Sequence, residues 1–138
     1  MGIDLYLNWD GQNEKEKEAQ YTGFSIKSGH TGYLREAYHG GPYATKVLAP
    51  EAFDETSGPK HTCMENEDGC EACKGVRILA HVLRERLPAV LDAARERERI
   101  IYKEREPDED VLKAFVSFVE LAEAKEAEGK NPRVCASF

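Results

Sequence analysis

Long hydrophobic runs are missing from this chain. No apolar stretch exceeds four residues, against about 20 needed to cross a bilayer as a helix, so the sequence excludes a membrane-spanning helix. Net positive charge is missing too. Twenty-six acidic residues face 19 basic ones, for a formal charge of -7, which argues against a general binder of phosphate backbones. There is no G-x-G-x-x-G fingerprint, no Walker phosphate loop and no nucleophile elbow, so the nucleotide and acyl-transfer chemistry those motifs support has no foothold. No repeat, heptad array or proline-rich linker divides the chain. Met1 to Asp10 has no basic region ahead of an apolar stretch, so no signal peptide is expected.

What is present suits one ordinary core. The 138 residues are 41% apolar and 9% aromatic, enough for a single domain over 1–138 and too apolar for a disordered tail. Ile3, Leu5, Leu7 and Trp9 alternate with polar residues and predict a strand with one buried face. Asp10-Gly11 follows as a turn signal. Glu14 to Gln20 is helix-permissive, and Thr22 to Lys27 reads weakly as a second strand. Tyr33 to Tyr38 reads as a short helix capped by Thr31 and stopped by His39-Gly40-Gly41-Pro42. Tyr43 to Leu48 reads as a further strand.

Beyond a polar excursion at 51–75 the chain turns helical. Val76 to Ile78 is a candidate short strand and Leu79 to Leu87 a helix. Pro88 then either opens a new helix at its first turn or kinks a continuous one. Leu87, Val90, Leu91, Ala94 and Ile101 keep helical spacing, and Arg95 to Arg99 alternate in charge as a solvated face does. Pro107 to Asp110 opens the clearest helix, with an acidic first turn that complements the macrodipole. Its stripe is Val111, Leu112, Phe115, Phe118, Val119 and Ala122, and Gly129 ends it. Arg133 to Phe138 alternates again as a final strand. The expectation is an α+β fold: a small antiparallel or mixed sheet packed by a C-terminal helical hairpin, about 88–104 and 108–128, with a Cys-bearing loop insertion.

The chemistry-bearing feature is H-x-C-x6-C-x2-C at His61, Cys63, Cys70 and Cys73. A tetrahedral Zn2+ takes four nitrogen or sulfur ligands at about 2.0–2.3 Å. Cys70 and Cys73 can reach one ion from a tight turn, Cys63 can loop back, and either His61 or the distant Cys135 completes the set. Glu65, Glu67, Asp68 and Glu71, four of the seven acidic residues between 51 and 73, would disfavour thiolates unless a cation balances them. A closed structural zinc knuckle is therefore the leading expectation, with Zn2+ as cofactor. Unliganded thiols on a solvated loop and a thiol redox pair are the alternatives. The redox alternative lacks the preceding strand of a thioredoxin-type site.

The segment 23–45 concentrates glycines, tyrosines and the imidazoles His30 and His39. An enzyme would use it as a small-ligand pocket, with a histidine as acid or base and Arg35 as anion clamp. The plainer reading is turns around a short helix with half-buried tyrosines. The Arg-rich stretch is interleaved with glutamates, so nucleic acid is not an expected partner.

Met1 to Trp9, Gly29-His30, Tyr33 to Glu36 and His39 to Tyr43 together resemble small uncharacterised proteins of bacteria and their phages that begin MGIDLYLxW. The resemblance covers mainly residues 1–53. It implies a cytoplasmic, bacterial or phage setting and no catalytic residue. Taken together, the sequence suggests a small accessory or protein-interaction module with a structural zinc loop, a protein partner and no membrane association.

Overall fold

A computed structural model of the chain describes residues 2–22, 29–37, 42–53, 75–101, 103 and 109–137. Its centre is strand β1, Gly2–Asn8, whose exposure alternates as the sequence does. Ile3, Leu5 and Leu7 are fully buried on one face. β1 is flanked on both sides by antiparallel partners, β2 (Tyr33–Ala37) and β3 (Arg133–Ser137), in the order β2-β1-β3. Leu5 lies opposite Leu34 and Ala136, and Leu7 opposite Val134. The inward face of the sheet is therefore apolar except at Glu36, which lies opposite Ile3.

Among the described residues four α-helices accompany the sheet: α1 (Glu14–Thr22), α2 (Ala44–Leu48), α3 (Ala80–Ile101) and α4 (Glu109–Ala127). The expected α+β class and C-terminal helical pair are both present. Leu83, Leu87, Val90 and Ala94 of α3 meet Val111, Leu112, Phe115, Phe118, Val119 and Ala122 of α4 in one core with Leu5, Leu7, Leu34 and Val134. Helix α1 starts on a local capping box: Glu16 N–H donates to Asn13 Oδ1 at 2.8 Å, and Asn13 N–H returns to Glu16 Oε1 at 3.2 Å. Among the described residues, no helix is long and apolar enough to cross a membrane.

The two short elements between α1 and the insertion exchange the types the sequence suggests. Tyr33–Ala37 is strand β2, not a helix, and Ala44–Leu48 is helix α2, not a strand. Five residues cannot nucleate a helix unaided, and pairing along β1 gives Tyr33–Ala37 a full ladder instead. Helix α2 has no cap from its own flanking Tyr43. Its cap comes from β2: the Glu36 carboxylate accepts the Ala44 N–H at 3.1 Å, the Thr45 N–H at 3.3 Å and the Thr45 hydroxyl at 2.7 Å. At the other end Arg86 of α3 donates to Leu48 O at 3.0 Å and forks onto Glu51. An anion at the start and a cation at the end both complement the helix dipole.

Two findings concern α3. Of the two readings of Pro88 the continuous helix is the one observed, and the stripe Leu83, Leu87, Val90 and Ala94 stays buried on both sides of the proline. Packing on that face outweighs the roughly 3 kcal/mol cost of an interior proline. Arg97 and Glu98 are not on a solvated face; they are 5% and 6% exposed. Arg97 donates to Ala37 O and approaches Glu36 at 3.9 Å, so a guanidinium and a carboxylate share the junction of β2, α2 and α3. The expected strand at 76–78 reduces to a single bridge, Val76 with Val134. Helix α1 continues through Thr22 where a strand is expected, and residues 23–28 lie outside the described set.

Candidate functional site

The face of the sheet opposite the one that carries Ile3, Leu5 and Leu7 bears polar chemistry. Tyr33 donates its hydroxyl to Asp4 Oδ1 at 2.6 Å, and Arg35 approaches the same carboxylate at 3.5 Å. One register step along, Tyr6 lies opposite Cys135. The Cys135 side chain is buried at 5% exposure, and Asn8 Nδ2 donates to its sulfur at 3.2 Å.

Gly75 closes this corner. Its N–H-bearing neighbour Val76 exchanges two 2.8 Å hydrogen bonds with Val134, which brings the Gly75 backbone against the Cys135 sulfur. A Cβ at Gly75, where φ is +92°, would collide with that sulfur and stand 2.8 Å from Val134 O. Only glycine fits there. The sheet thus receives the chain returning from the Cys-bearing stretch directly on top of Cys135.

His61, Cys63, Cys70 and Cys73 lie outside the described residues, as does His39. Among the described residues no group of three or more His, Cys, Asp or Glu could hold a metal ion. His30 and Arg35 are not brought together. Arg35 pairs with Asp4 on the outward sheet face, whereas His30 lines a cleft with Trp9, Glu16 and Lys125 in which Arg35 takes no part. A second, open groove of about 390 Å³ follows α3, with Leu87, Pro88 and Leu91 between Arg84 and Arg95.

Electrostatics separates these places by role. Burial pushes the Glu36 carboxyl above the usual carboxylate range, against the opposing pull of Thr45, Arg97 and the Ala44 N–H. Its hydrogen bonds go to the Ala44 N–H, the Thr45 N–H and the Thr45 hydroxyl, all at the start of α2. Hydrogen bonding to Arg86 lowers Glu51, and hydrogen bonding to Arg84 lowers Glu123. Sequence reasoning did not single out Asn8, Glu16 or Lys125. The capping box at Asn13 and Glu16 is the one local signal among them. Comparison with protein-family models, curated proteins and solved structures found no match.

Proposed function

We propose that the chain is a small α+β accessory module for protein interaction, stabilised by a structural zinc ion in its Cys-bearing segment. The carrying observation is the seating of Cys135. Its sulfur is buried, accepts a hydrogen bond from Asn8 and lies under Gly75, and Gly75 follows Cys73 by two residues, at about 3.8 Å per residue. Of the two candidates for the fourth ligand, His61 and Cys135, this favours Cys135. The set is then Cys63, Cys70, Cys73 and Cys135, a closed four-thiolate arrangement suited to Zn2+. Asn8 would supply the outer hydrogen bond that orients a ligand sulfur.

The acidic surroundings of the cysteines support a bound cation, and the overall charge of -7 supports a partner other than nucleic acid. The groove along α3 supports a protein partner through its apolar floor of Leu87, Pro88 and Leu91; its rim arginines, Arg84 and Arg95, are paired with Glu123 and Asp92. A cytoplasmic setting, where thiols stay reduced, fits the same reading. Elemental analysis of protein purified without a metal-binding tag tests it. One zinc per chain, lost in Cys70→Ser and Cys135→Ser and retained in His61→Ala, is expected. Absence of stoichiometric metal, or its retention in Cys70→Ser, overturns the zinc assignment.

A further inference from the structure

We draw no further inference here: the strongest candidate, the open groove along α3 floored by Leu87, Pro88 and Leu91, carries nothing because its rim arginines Arg84 and Arg95 are already paired with Glu123 and Asp92 and nothing in the structure shows what covers it.

Discussion

The carboxylate of Glu36 accepts the hydroxyl of Thr45 at 2.7 Å, and through that contact a β-strand caps a helix that has no cap of its own. Glu36 also neighbours the buried Arg97 guanidinium. Glu36→Ala strips the start of α2 and leaves Arg97 without its carboxylate, so a loss of about 3 kcal/mol or more is expected, read as a lower urea midpoint. The pH dependence has a definite sign. Burial raises the folded pKa of Glu36 above 4.5, so its contribution is complete below about pH 4.5 and declines as the pH rises through the folded value. The stability gap between wild type and Glu36→Gln should narrow as pH rises; a gap that widens contradicts this.

At the far end of α2, Arg86 joins Leu48 O and Glu51. Both side chains are partly exposed, so Arg86→Met should lower stability by only about 1 kcal/mol. Here the sign is reversed. The Arg86 hydrogen bond lowers the Glu51 pKa below 4.5, so the pair contributes above that value and its contribution is lost as pH falls through the folded pKa. Chemical denaturation of wild type and variant at neutral and acidic pH should show the cost of Arg86→Met shrinking in acid. An undiminished cost would place the effect in packing instead.

Gly29 lies flat against α4. A Cβ there would collide with Ala114 O and stand 2.9 Å from the Ala114 Cα. Backbone on both sides leaves little room for adjustment, so Gly29→Ala should destabilise by about 1–3 kcal/mol, seen as a drop in thermal midpoint. An unchanged midpoint would show that the 29–32 turn can move away from α4.

Pro88 sits inside α3 with its ring exposed. Pro88→Ala restores the missing N–H to the helix ladder and should stabilise the protein by up to about 3 kcal/mol. Urea titration reads the gain directly. A loss would mean that the proline geometry is itself needed for the seating of α3 on the core.

Legibility in the sequence followed the range of the interactions involved. β1 and β3 alternate, α1 carries its own capping box, and the stripe of α4 repeats at helical spacing, so each is readable from neighbours in sequence. β2 and α2 are not, because Glu36 and Thr45 decide α2 only after β2 has paired with β1. The depth of Arg97 depends on the same assembly. The start of α3 follows this rule too: its Ala80 N–H is capped by Glu126 of α4 at 2.7 Å. For the sites, the cysteine spacing is visible in the sequence, whereas the seat of Cys135 under Gly75 is a product of the β3 bridge. His30 stood out as an imidazole among glycines, yet its company is Trp9 and Lys125 rather than Arg35.

The central claim is a zinc ion held by thiolates with Cys135 among them. Diffraction from crystals at the zinc absorption edge tests it most directly, through the anomalous difference map. The expected result is a single strong peak about 2.3 Å from the Cys135 sulfur, beside Gly75. A map without a peak, or with a zinc peak remote from Cys135, would contradict the account.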